Sequence, residues 1–124
     1  MQNSIISSWG AQDKFMAHYI VKKDVKNKVL DYTANTILHT RGRFAQKQIS
    51  AVSWDGGKLA YILNQDTSLN NMIIKQTPYD GILFVEPTNS GVRIYGKWKN
   101  LYDFTISKEL FLIYDIIAGH IKSL

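Results

Sequence analysis

The chain has 124 residues, of which 45% are hydrophobic and 20% charged with only 2 Pro, a composition that suits one folded domain with its own core and excludes extended disorder. Cysteine is absent, which excludes disulfide staples and thiolate zinc sites and suits a reducing compartment. Lys and Arg outnumber Asp and Glu by 15 to 10, for a net charge of +5 and a pI near 9.4, so an acidic partner is favoured: nucleic acid, anionic lipid or an acidic protein face.

Near the start, Trp9, Asp13 and Lys14 interrupt the apolar stretch that a signal peptide needs. No run reaches the roughly 18 apolar residues of a membrane span. The expectation is a cytoplasmic monomer that is neither exported by that route nor membrane-spanning. Repeats, low-complexity tracts and Pro/Gly/Ser linkers are also lacking, so residues 1–124 read as a single domain.

Ile5, Ile6, Trp9, Phe15, Met16, Tyr19 and Ile20 recur at spacings that return to one helical face, which predicts an N-terminal helix. The charged stretch Lys22 to Lys28 follows, then Val29 to Thr40, rich in Tyr, Thr, Ile and Leu, reads as strand. Ile49 to Trp54 and Lys58 to Leu63 read as the two arms of a hairpin turned by Asp55-Gly56-Gly57. Three further strands are expected at Asn71 to Thr77, Gly81 to Pro87 and Gly91 to Trp98, divided by the turn signals Pro78 to Gly81 and Thr88 to Gly91. Leu110, Ile113, Tyr114, Ile117, Ile121 and Leu124 then form the apolar stripe of a C-terminal helix. The predicted fold is an α/β domain of the α+β sandwich kind, a central antiparallel meander packed by N- and C-terminal helices.

That order, with the residues at its joints, resembles the profilins, the small actin-monomer-binding proteins, in a divergent and archaeal-type form. Ser8-Trp9 looks like the opening of the family's first helix. Trp54 to Ile62 is similar to its glycine hairpin and Lys-containing strand, while Met72 to Lys75, Asp80 to Val85, Thr88 and Val92 to Trp98 follow the spacing of its last strands. The likeness covers Ile49 to Leu124 and, loosely, Ser8 to Ile20; Val21 to Gln48 has no counterpart. It implies a profilin-like cytoskeletal regulator that binds and sequesters monomeric actin, or an actin-like protein, without a cofactor. By position the actin-facing residues are Asn64, Lys75, Thr77, Lys97, Lys99, Asn100, Tyr102 and Lys108. Trp98, Leu101, Tyr102 and Phe104 among Lys97 and Lys99 have the composition of an interface centre, though the same rings could cap a core.

The family's second site grips proline-rich ligands between aromatic residues of its terminal helices, and Trp9 and His120 match it. The last turn, Ile121 to Leu124, lacks the terminal Tyr of that pattern, so polyproline binding is expected to be weak or absent. Lys22, Lys23, Lys26 and Lys28 with Arg41, Arg43 and Lys47 would form an anionic phospholipid patch, of phosphoinositide type, if the fold joins the two groups; a solvated face accounts for them equally well.

Catalysis is not expected. His18, His39 and His120 stand apart and outside any metal or nucleophile motif, and Asp55 and Asp80 sit in turn contexts. Gly56-Gly57 is no phosphate loop, because the pattern G-x-x-x-x-G-K-[ST] is missing. Two alternatives stand beside actin binding: a generic small α/β interaction module of trafficking or sensor type, and binding of anionic phospholipid or nucleic acid through the basic residues. A nucleic-acid partner is not the expectation.

Overall fold

Apolar residues at positions 5, 6 and 9 mirror those at 16, 19 and 20 in the sequence, and the two segments pair as antiparallel strands. The structure, a computed structural model, describes the backbone of residues 4–11, 14–43, 46–97, 99–100 and 107–124, and the side chains of 18–43, 46–97 and 107–124. Strands β1 (Ser4–Ala11) and β2 (Lys14–Val21) pair Ile5 with Ile20, Ile6 with Tyr19 and Trp9 with Met16. The N-terminal helix expected from helical spacing is therefore replaced by a hairpin. Its Ile, Tyr, Phe and Val residues suit strands, and mirrored spacing aligns them across the ladder.

A short 3-10 turn, Leu30–Tyr32, leads into β3 (Ala34–Arg41), within the stretch expected to be strand. Next comes β4 (Gln48–Gly56), paired antiparallel with β3 through a bulge at His39/Thr40. The expected second arm, Lys58 to Leu63, is helical: α1 (Lys58–Gln65) buries Leu59, Ala60 and Leu63, one face at helical spacing. Gly56 and Gly57 serve close approach there instead of a hairpin turn. A Cβ on Gly56, at φ +142, would lie 2.1 Å from the Thr33 carbonyl oxygen, and one on Gly57 would lie 1.9 Å from that of Leu30.

Asn71 to Thr77, expected to be strand, falls largely in helix α2 (Thr67–Ile74). Asp66 caps it, its Oδ1 accepting the Leu69 N–H at 3.0 Å, and Leu69 and Ile73 turn inward one helical turn apart. Strands β5 (Phe84–Thr88) and β6 (Gly91–Tyr95) form the expected hairpin across the Thr88 to Gly91 turn. A two-residue strand, β7 (Lys99–Asn100), pairs with Lys14 and Phe15. Helix α3 (Lys108–Ser123) follows the predicted stripe, with Leu110, Ile113, Tyr114, Ile117, Ala118 and Ile121 buried and the Ser107 hydroxyl accepting the Leu110 N–H at 3.1 Å.

The fold is an α+β sandwich. Its antiparallel sheet has seven strands among the described residues, ordered β1-β2-β6-β5-β3-β4 with β7 beside β2, so hairpins are interleaved where a sequential meander was expected. Inward residues such as Tyr19, Val21, Ala34, Trp54, Val85 and Ile94 share one hydrophobic cluster with the buried faces of α1, α2 and α3. Among the described residues the helices thus lie on a single face of the sheet.

Trp54 joins the two layers. Its backbone N–H donates to Asn64 Oδ1 at 2.7 Å and its carbonyl accepts Asn64 Nδ2 at 2.9 Å, so the carboxamide takes the place of a neighbouring strand on edge strand β4. The indole N–H donates to Asn70 Oδ1 at 2.9 Å, while Asn70 Nδ2 donates to the Leu63 carbonyl at 2.9 Å. Thr36 does similar work in mid-sheet, donating to the Gly81 carbonyl at 2.8 Å and accepting the Leu83 N–H at 2.9 Å.

Two substitutions probe this arrangement. Tyr61, 67% exposed on α1, becomes a better helix former as Ala, so Tyr61→Ala holds or raises stability by up to about 0.5 kcal/mol, whereas a strand at this position would lose stability. Ile117→Ala empties the centre of the α3 interface and lowers unfolding free energy by about 2–5 kcal/mol in urea titrations.

Candidate functional site

Strand register defines two ends of the sheet. From the Ala34↔Val85 pair, β3 runs toward Arg41 while β5 runs the opposite way toward Thr88. Arg41 and Thr88 therefore mark opposite ends, and the basic residues divide between them.

At the Thr88 end, Lys22, Lys23 and Lys26 line a cleft of about 500 Å³ with Thr88, Asn89 and Ser90. Part of this charge is already used. Lys23 Nζ donates to the Lys122 carbonyl at 3.0 Å, tying the loop after β2 to the end of α3, and Asp24 lines the cleft as well, accepting the Lys26 N–H at 3.1 Å.

At the Arg41 end, Arg41, Lys47 and Lys75 line a second cleft of about 510 Å³ with Gln46, Gln48 and Gln76. The walls are the end of β3, the start of β4 and the end of α2. The single basic patch that would have joined Lys22, Lys23, Lys26 and Lys28 to Arg41 and Arg43 does not form, since a sheet's length separates the two groups. Lys28 and Arg43 are exposed.

Most of the expected actin-facing residues share the Arg41 end. Lys75 and Thr77 line its cleft, and the Lys97 ammonium lies 5.9 Å from the centre of the Tyr79 ring. Lys99 and Asn100 pair with β2 beyond the His18↔Tyr95 pair, on the side where β6 runs out to Lys97. Lys108 opens α3, whose other end meets Lys23. Asn64 stands apart from this group, its carboxamide engaged by Trp54. Tyr102 and its neighbours Trp98, Leu101 and Phe104 lie outside the described residues.

The two proline-ligand positions belong to different settings. Trp9 is on strand β1 at the sheet edge, so the expected pairing of two terminal helices lacks its first helix. His120, on α3, donates through Nε2 to Asp66 Oδ2 at 2.7 Å. That hydrogen bond first, then the Leu69 N–H, holds the Asp66 carboxyl below its ordinary range. The pair clamps the α2 cap to α3.

The sheet face opposite the helices carries a compact polar-aromatic cluster. The Phe84 and Tyr95 rings stack at 5.2 Å and 25°, and the Arg93 guanidinium sits 4.0 Å over Tyr95 while donating to Glu86 Oε1 at 2.6 Å. Burial and then the Glu86 charge raise the Tyr95 phenol, whereas burial and then Arg93 lower the neighbouring His18 imidazole. Arg93 and Glu86 cancel in charge, so this face offers an anion far less than the Arg41 end does.

Among the described residues, no group of three His, Cys, Asp or Glu could hold a metal ion, and no helix is long and apolar enough to cross a membrane. The cleft residues Gln46, Gln48 and Gln76 escaped the sequence reading, because their neighbourhood depends on α2 being a helix. The cap signal Asp66-Thr67-Ser68 could have revealed it. Comparison with known protein families, curated proteins and solved structures finds no match to this chain.

The Asp66–His120 clamp gives stability an acid limb. Because the folded carboxyl binds its proton more weakly than the unfolded chain does, its contribution is complete above the ordinary value of 3.8 and is lost as pH falls through the folded value. Between pH of about 5 and about 3 the wild type loses stability more steeply than Asp66→Asn, as read from urea midpoints; parallel slopes would contradict the clamp.

Proposed function

We propose that the chain is a binding protein, not an enzyme, and that its partner is a folded protein surface, with monomeric actin or an actin-like protein as the leading candidate. The observation that carries this reading is the placement of Lys75, Thr77, Lys97 and the strand residues Lys99 and Asn100 at one end of the sheet, with Lys97 beside the 42%-exposed Tyr79 ring and Lys108 at the end of α3 away from Lys23. An exposed aromatic ring with a lysine ammonium 5.9 Å from its centre suits an interface with an apolar centre and a charged rim. Such contacts weaken only moderately with salt, as rim charges are screened while the ring's buried area is not. The role would be sequestration of the actin monomer in the cytoplasm, in association with the cytoskeleton.

A second reading, a generic α/β interaction module with another partner, is favoured by one specific observation. Lys58 to Leu63 and Met72 to Ile74, which carried part of the profilin resemblance as strands, are helical, and Ser8-Trp9 lies on a strand. The likeness therefore rests most on β5, β6 and α3.

The two readings separate in a polymerisation assay with fluorescently labelled actin. Actin binding predicts dose-dependent slowing of spontaneous filament assembly at about micromolar concentrations, weakened about tenfold or more by Tyr79→Ala with Lys97→Glu. Unchanged assembly at tens of micromolar would reject actin and leave the module reading.

A further inference from the structure

We infer that the cleft at the Arg41 end is a binding site for a phosphate-bearing ligand of nucleotide size, a function beyond the protein surface proposed above, with which it shares Lys75 and Thr77. Three cations reach it from three separate parts of the chain: Arg41 from β3, Lys47 from the β3–β4 connection and Lys75 from the end of α2. Among the described residues, no carboxylate lines it. Gathered without a counter-ion, these charges repel one another, and a phosphate dianion between them relieves that repulsion.

The rest of the lining suits the same chemistry. Gln46, Gln48 and Gln76 supply carboxamide N–H donors, which bind phosphate oxygens without adding charge. Arg41 offers a planar fork for bidentate contact, with lysines beside it as point charges. The partly exposed Ile74, backed by the buried Ile49, gives the cleft an apolar side against which a non-phosphate moiety can rest. The volume, about 510 Å³, falls within the range of sites that hold small organic ligands.

The opposite cleft is a natural control. It matches in volume and holds three lysines, yet Asp24 lines it and Lys23 is bonded to the Lys122 carbonyl. A ligand attracted by net charge alone would occupy both clefts; a phosphate site built at the Arg41 end discriminates between them.

The test titrates inorganic pyrophosphate into the full, isotope-labelled chain and follows backbone amide resonances. The expected result is saturable shifts at Gln46 to Gln48 and Lys75 to Thr77, half-complete at or below about 1 mM. Lys47→Glu with Lys75→Glu weakens binding about tenfold or more, while Lys22→Glu in the control cleft changes it by less than about twofold. Both replaced lysines of the site are exposed, and the milder Lys47→Gln with Lys75→Gln provides the same readout should charge reversal disturb folding.

Two further probes separate possible sources of the phosphate. Adenosine diphosphate binding more tightly than pyrophosphate at the same amides identifies a soluble nucleotide-type ligand; phosphatidylinositol phosphate vesicles displaced by pyrophosphate identify a lipid headgroup. Either supports the site. Absent or non-saturating shifts, equal shifts at Lys22 to Lys26, or unchanged binding by the Lys47/Lys75 variants would overturn it.

Discussion

The backbone of Trp54 is where the sheet passes into the helical layer, and the arrangement of the rest follows from how its hydrogen bonds are met. Strand β4 is an edge, so the N–H and C=O groups that point away from β3 need partners from elsewhere. Asn64 supplies both from α1, and Asn70 takes the indole N–H from α2. This triad fixes the direction in which the helices return over the sheet. It also occupies Asn64, which position alone would have assigned to a partner surface.

Because α1 and α2 run back along β4, the chain after Ile74 arrives at the end of the sheet where Arg41 and Lys47 lie. Two more strands at those positions would have left Lys75 and Thr77 elsewhere. Two basic clefts consequently lie at opposite ends of the sheet, one partly neutralised by local contacts and the other without a lining carboxylate among the described residues. The open face between them carries its Arg93–Glu86 pair and an aromatic stack, a self-compensated surface with little net field. The partner surface and the phosphate cleft both belong to the Arg41 end for this reason.

Much of the architecture was legible from local signals. The α3 stripe from Leu110 to Ile121, the β5–β6 hairpin, the β4 strand and the α+β class all follow from periodicity and turn chemistry. Periodicity misled where two patterns coincide. Residues 5 to 20 satisfy a helical stripe and a mirrored hairpin together, and long-range pairing of β2 with β6 selects the hairpin. Gly56-Gly57 resembles a hairpin turn, but its glycines are needed for packing against the 30–33 turn, a contact that no local window contains. Lys75 is 34 positions from Arg41 in sequence, so the cleft becomes visible only after the course of α2 is known.

Whether β4 ends in a side-chain-closed edge leading directly into helix is read from hydrogen exchange at the Trp54 amide, in the wild type and in Asn64→Ala. The Trp54 amide is expected to be protected alongside core positions such as Ile94 and Ile117, with protection falling sharply in the variant while those core amides stay slow. A Trp54 amide that exchanges rapidly in the wild type, as an open edge strand would, or one equally protected without Asn64, would contradict it.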